Sequence, residues 1–238
     1  NPAAYQDLIS GMPDTLMIQE SRSQWHLADE IRQSAELSTL FEKYEDDAFF
    51  DQLPNSSQGR KFLTHYEDML RDHGHRGHQD RDIYYPRRIE DRAIDYRMLK
   101  AYLAGGDSTT PEQTEQRLIA ARERATHEVL SNISKKRFGG MKVSAFARLL
   151  HYVHKFLIQR DDERHYYDRI TYQTKKVYGE LGRRMFERGL FKEPDDFFFL
   201  ARGELYDLLK GRASKPLTEV KVVARKEVFH RRNRREED

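Results

Sequence analysis

The sequence predicts a mainly α fold, a multi-helix domain with long central helices and little or no sheet. Three observations point there. Apolar residues recur at three- and four-residue spacing along most of the chain, whereas alternating runs suited to a half-buried strand are almost absent. Between the periodic stretches stand clusters of Gly, Pro, Ser and Thr placed as helix ends are. Finally, 13 Phe and 13 Tyr supply bulky core material for a chain of 238 residues in which 34 % are charged.

Taken in order, Pro2 to Gly11 reads as a short helix with Ala3, Leu8 and Ile9 as its apolar points, closed by Gly11-Met12-Pro13-Asp14. From Thr15 the set Leu16, Ile18, Trp25, Leu27 and Ile31 describes an amphipathic helix running to about Gln33. Ser34 to Phe41 and Tyr44 to Leu53 continue as short helices, and Pro54 to Gly59 is a turn. Arg60 to Arg71 carries Phe62, Leu63, Tyr66, Met69 and Leu70 on one face. Pro86 bars a regular helix through its position, and helical periodicity resumes over Asp91 to Leu103. After Gly105-Gly106, Thr110 is the N-cap of a helix with Pro111 at its first position and Glu112 in its first turn, running to about Lys136. Gly139-Gly140 interrupts, and a long helix follows from Val143 towards Arg188, with Gly189 as its C-cap. Phe191 to Leu200 is expected to be a short buried strand or an extended segment, and Glu204 to Lys210 a last short helix. The expected organisation is a helical domain over 1–212 followed by a charged helix or linker over 213–238.

Composition excludes more than it selects. The 42 Lys and Arg face 40 Asp and Glu, a formal net charge of +2, which makes no general case for nucleic acid or a membrane surface as partner. The basic run from Arg225 to Arg235 ends in Glu236-Glu237-Asp238 with Phe229 as its aromatic, and reads as a charged linker. There is no Cys, so no disulfide frame or thiolate chemistry, and a cytoplasmic setting fits best. No apolar run approaches the roughly 20 residues that span a bilayer. The chain begins with Asn1 and stops in a charged run, and is expected to be a piece of a longer protein.

Two stretches carry chemistry. The first, Asp72 to Asp82, places three His, two Arg, three Asp and two Gly in eleven residues. Gly74 and Gly77 permit a tight turn that aims these side chains at one place. His73, His75 and His78 stand at a spacing that fits no standard zinc frame, and no Cys or downstream His pair completes one, so no metal is expected. Two readings remain open: a solvated turn whose Asp and Arg pair among themselves, or an active-site wall in which Arg76 binds phosphate and Asp80 and Asp82 orient it. The second stretch is Arg160-Asp161-Asp162-Glu163-Arg164-His165, in the middle of the long helix. Helical spacing stacks Arg160 on Arg164, a like-charge pair that costs a few tenths of a kcal/mol unless an anion lies between them. Asp161 and His165 share the adjacent face, four apart, as a carboxylate orienting an imidazole would. The plainer reading is an exposed face laced with salt bridges. Tyr152, Phe156, Tyr166, Tyr167 and Tyr172 would give an adjoining pocket aromatic walls, or simply fill the core.

At these residues a resemblance enters. Gly74-His75-Arg76-Gly77 with Asp80 and Asp82, followed by Pro86-Arg87-Arg88-Ile89-Glu90-Asp91, resembles the central region of phosphoenolpyruvate-synthase-like phosphotransferases. Within them, the similarity is to rifampicin phosphotransferase and its relatives, phenylphosphate-synthase-type enzymes included. It extends from about Leu27 to the tail. Arg160, Asp161 and Arg164 stand where the family has an Arg-acid-x-x-Lys cluster, with Arg164 in place of the Lys. Gly189-Leu190-Phe191 through Asp195 to Leu200 is similar to the family's Gly-Leu … Asp-x-Phe-Phe-Leu stretch.

The resemblance implies a three-part machine: an ATP-grasp domain, a helical acceptor-binding domain and a swivelling domain bearing a phosphorylated His. ATP, with Mg2+, would be split to AMP and phosphate, and the phosphoryl group passed to a hydroxyl of a phenol-like or polyketide-like acceptor. This chain would be the acceptor-binding domain and would not turn over alone. It has neither a Gly-rich nucleotide loop nor a Thr-Ser-His-like segment, so ATP and Mg2+ would bind outside it. Asp161 or His165 would take the hydroxyl proton; Arg160, Arg164 and Arg76 would stabilise the migrating group. His75, Asp80, Asp82 and Arg88 would complete the phosphate-binding wall. The competing expectation is a helical interaction or regulatory module without catalysis; a third is a metal-dependent hydrolase built on the His turn.

Overall fold

A computed structural model describes residues 2–12, 15–77, 82–105 and 109–237. The readings for Pro13, Asp14, His78, Asp80 and Arg81 lie outside the described residues, as does the 106–108 part of the break after Gly105. The architecture is mainly α, with no strand among the described residues. In order come α1 (Pro2–Leu8), α2 (Leu16–Gln33), α3 (Ala35–Lys43), α4 (Asp46–Gln52), α5 (Ser57–His73), α6 (Ala93–Ala104), α7 (Pro111–Ser134), α8 (Gly139–Glu187), α9 (Arg202–Leu209) and α10 (Lys215–Glu237). Short 3₁₀ turns occupy Leu53–Asn55 and Pro194–Phe199.

Hydroxyl caps set several starts. The Thr15 side chain accepts from the Ile18 amide, Ser34 from Leu37 and Ser56 from Gly59. Thr110 and Gln113 form a reciprocal capping box with Pro111 at the first position of α7. Gly189 ends α8 at φ +66°, with its amide donating to the Phe186 carbonyl.

Two expectations need correction. The break before the long helix falls at residues 135–138, with Phe138 at φ +60°, and not at Gly139-Gly140, which open α8. Gly139 is required there because a side chain would run into the Ser134 carbonyl. Phe191 to Leu200 is not a strand. The Asp196 carboxylate accepts from the amides of Lys192 and Glu193, at 3.0 Å each, and winds the segment into a 3₁₀ turn with Pro194 at its start.

The chain forms two compact units, one of Asn1–Asp80 and Pro86–Arg169, the other of Arg81–Tyr85 and Ile170–Asp238. In the first, α2 packs against α3, α5 and α6, and α1 against α7. Its core joins Leu27 and Ile31 of α2, Leu37 and Phe41 of α3, Phe49 and Phe50 of α4, Phe62 and Tyr66 of α5, and Tyr96 and Leu99 of α6. The rings interlock: Phe41 stacks on Tyr96 at 4.5 Å and Phe50 on Tyr66 at 4.6 Å. Each such buried side chain contributes on the order of 1.5–3 kcal/mol.

The second unit is built around Met185, Phe191, Phe197 and Leu208. Tyr84 sits edge-on to Phe198, Phe199 and Phe229, and the Tyr85 hydroxyl accepts from Asn233 Nδ2 at 2.6 Å. Within the basic stretch, Lys215–Glu237 forms helix α10, whose Lys221 and Arg225 bind Glu204 and whose Lys226 binds Glu193 and Asp196. Among the described residues no helix is long and apolar enough to cross a membrane.

Candidate functional site

Helix α5 delivers the chain into the turn at Gly74–Gly77, and the turn closes on the segment after Pro86. The Arg88 amide donates to the Arg76 carbonyl at 2.9 Å and the Ile89 amide to the Gly74 carbonyl at 3.0 Å. Gly77 permits this approach, since a Cβ there would lie 2.6 Å from the Pro86 carbonyl oxygen. Arg76 is thereby turned inward, 6 % exposed.

Buried arginine requires buried acid, and α2, α6 and α8 supply it. Arg76 Nη1 pairs with Glu20 Oε2, and Arg76 Nε lies 3.6 Å from Asp168 Oδ2. The other oxygen of Glu20 pairs with Arg88 at 2.8 Å and accepts from Gln24 at 3.1 Å. Arg88 Nε then lies 3.4 Å from Asp95, whose second oxygen accepts from the Tyr66 hydroxyl at 3.0 Å. Burial pushes the Asp95 carboxyl up to about 6, against the pull of Arg88, and also raises the Tyr66 phenol.

Against this network lie three imidazoles. His75 Nε2–H donates to the His165 carbonyl at 3.2 Å, and the His165 ring is 4.5 Å from His75 and 5.5 Å from His73, edge-on to both. An accepting carbonyl fixes the His75 proton on Nε2. Burial lowers all three pKa values, and His165 reinforces the shift at His75, which falls to about 4. All three rings are therefore neutral at ordinary pH. Among the described residues no group of His, Asp and Glu is arranged to hold a metal ion.

The two chemically loaded stretches thus meet, through His75 and His165. The remaining predicted residues fall elsewhere. Arg160 and Arg164 are exposed, and Arg160 donates to the neighbouring Asp161 carboxylate at 3.0 and 3.2 Å. Asp161 lines an apolar cleft of about 490 Å³ walled by Ile9, Met12, Ile18, Trp25 and Leu118. Among the described residues the other charged one lining it, Glu115, pairs with Arg22 at 2.8 Å. Asp162 is used structurally: its Oδ1 accepts from the Leu16 amide at 3.0 Å and caps α2. Asp82 belongs to the second unit, where it accepts from the Tyr84 amide. Tyr152, Phe156, Tyr166 and Tyr167 neither wall the cleft nor fill the core; all four are exposed.

Arg76 connects the two regions, since its Nη1 contacts Met17 Sδ and Met17 lines the cleft. Glu20, Gln24, Trp25, Asp95 and Asp168 were missed by sequence reasoning. A signal existed for the α2 pair: Glu20, Gln24, Leu27 and Ile31 share one helical face, so two polar residues occupy core positions. Asp168 likewise stands one turn beyond His165.

The family described as "Rifampicin phosphotransferase fourth domain" matches residues 1–161. The "Uncharacterized phosphotransferase YvkC" of Bacillus subtilis (strain 168) is 20 % identical over 229 residues, which cover 96 % of this chain and 26 % of that protein. The chain therefore spans about a quarter of that relative's length.

Proposed function

Because the chain belongs to the rifampicin phosphotransferase fourth-domain family, we propose that it is the acceptor-binding part of an ATP-dependent phosphotransferase. The observation that carries this reading is the placement of Asp161: a carboxylate at the wall of an apolar cleft, bonded to an exposed arginine. The acceptor's apolar body occupies the cleft and its hydroxyl meets Asp161. Arg160 and Arg164, four apart on the exposed side of α8, meet the incoming phosphoryl group.

In the transfer step, the acceptor O–H proton passes to the Asp161 carboxylate while the acceptor oxygen bonds to phosphorus. The P–N bond to a phosphohistidine of another domain breaks, and its electron pair stays on the imidazole nitrogen. Such a transition state needs positioning and charge neutralisation above all. Arg76 and Arg88, held by Glu20, Asp95 and Asp168, set the field behind the cleft wall and do not leave their partners. His165 is enclosed, so Asp161 is the better-placed base. ATP and Mg2+ act in domains outside this chain, with ATP converted to AMP and phosphate as the histidine is charged.

The test separates the half-reactions in the full-length protein. Arg160→Ala is expected to cut transfer to the acceptor while sparing autophosphorylation of the histidine from ATP. Equal loss of both would defeat the assignment.

One observation favours a second reading, a docking module: Met141, Leu149, Tyr152 and Phe156 expose an apolar stripe on α8. A thermal-shift screen with phenolic ligands distinguishes the two, since the melting temperature should rise under the first reading alone.

A further inference from the structure

A second cleft, of about 370 Å³, adjoins the first: it is lined by Met98, Ala101, Tyr102 and Arg32 together with Trp25 and Thr109, and the last two also line the Asp161 cleft. Trp25 is the only tryptophan of the chain and stands between the two. We infer that both clefts are occupied at once by one elongated hydroxy-aromatic acid, its hydroxyl at Asp161, its ring system lying along Trp25 and its carboxylate at Arg32. This rests on the reading of the Asp161 cleft as the acceptor site, and names the class of acceptor.

Three observations support it. Both clefts are walled mainly by apolar and aromatic side chains, which suit a flat, unsaturated body. Among the described residues Arg32 is the charged one lining the second cleft, and its guanidinium lies 5.9 Å from the Trp25 ring centroid. Its ion pair with Asp29 is long, at 3.8 Å, and it donates to the Tyr102 carbonyl through Nη2. A guanidinium has five N–H donors, so these contacts leave capacity for a carboxylate. The two ends also differ in hydrogen-bonding character: the Asp161 carboxylate accepts from a hydroxyl, while Arg32, which has donors only, suits a carboxylate. A ligand spanning both is therefore held in one orientation.

Trp25 emission reads the test directly. Phenol, 4-phenylphenol and 4'-hydroxybiphenyl-4-carboxylate are titrated into the chain. The second ring is expected to improve affinity roughly twentyfold, as six further well-buried atoms do at ordinary ligand efficiency. The carboxylate is expected to add about threefold, the scale of a half-exposed ion pair. Ala101→Phe fills the second cleft from an exposed helix position and is expected to abolish the gain from the second ring while leaving phenol binding unchanged. Arg32→Gln is expected to abolish the carboxylate gain alone. Equal affinity for all three probes, or equal weakening of all three by Ala101→Phe, overturns the inference and leaves the acceptor-site reading standing. Binding of none overturns both. If the long probes win but Asp161→Asn retains full transfer activity, the phosphotransfer reading falls and the extended site remains.

Discussion

The imidazole of His75 donates through Nε2 to the backbone carbonyl of His165, a residue 90 positions further along the chain, at 3.2 Å. This bond joins the glycine-bounded turn after α5 to the middle of α8. It places two neutral imidazoles beside a buried lattice of arginine and carboxylate.

That position has a pH signature. The His75 imidazole drops from 6.5 to about 4 on folding, chiefly through burial. Between those values the unfolded chain binds more protons, so the stabilising effect of the neutral ring is complete above pH 6.5 and is lost as pH falls towards 4. Asp95 works in the opposite sense: its carboxyl, raised to about 6, holds a proton the unfolded chain releases, so its penalty shrinks as pH falls through that value. The two partly cancel in the wild type and must be separated by substitution. His75→Gln keeps a side-chain N–H for the His165 carbonyl but cannot titrate. Its melting temperature should fall less than the wild type's between pH 6.5 and 4; parallel profiles would contradict the assignment.

Glu20 is the centre of the lattice, with one oxygen on Arg76 and the other on Arg88. Glu20→Gln leaves two buried guanidiniums short of a counter-charge. Removing one partner of a buried pair costs about 3–5 kcal/mol. Urea unfolding should show a loss of that size; less than about 1 kcal/mol would mean that the arginines relax to water.

Much of the fold, but less of the site, was legible in the sequence. Thr15, Ser34 and Thr110 stand where the sequence opens a helix, because a hydroxyl at that position satisfies amides that have no other partner, and the structure uses all three; Ser56, read within a turn, caps a helix that opens at Ser57 and not at Arg60. Such signals are local. The Glu20–Arg76 pair is not, since periodicity gives a residue's face but not what that face meets. The same limit applies along α8, where Leu149, Phe156 and Val177 have helical spacing yet remain exposed. Asp162 shows it in another form: read within a charge cluster, it caps the start of α2 from 146 residues away. Phe191 to Leu200 was misread because three successive Phe suggest a strand, whereas Pro194 and the Asp196 carboxylate decide the backbone.

Gly182 provides a test of the second unit. A Cβ there would lie 2.7 Å from Phe197 Cδ1 and collide with the Pro194 carbonyl, so α8 and the 3₁₀ turn meet through the absent side chain. Overpacking of this kind costs about 1–3 kcal/mol. Gly182→Ala should speed hydrogen exchange over residues 185–200; unchanged protection would show that the turn shifts freely.

The chemical proposal turns on Asp161, and its clearest test keeps the side chain's size. Asp161→Asn retains the shape of the cleft wall and a polar contact for the acceptor hydroxyl, but cannot accept its proton. Arg160 would lose the carboxylate it bonds at 3.0 Å, yet it stays exposed and charged, so the incoming phosphoryl group would still meet a guanidinium. The variant should therefore bind a phenolic acceptor with nearly wild-type affinity. Its transfer rate in the full-length protein should drop by about 10²–10⁴, the usual contribution of a positioned base. Autophosphorylation from ATP should not change. A loss confined to binding would identify Asp161 as a recognition group, and the proton would have to leave by another route.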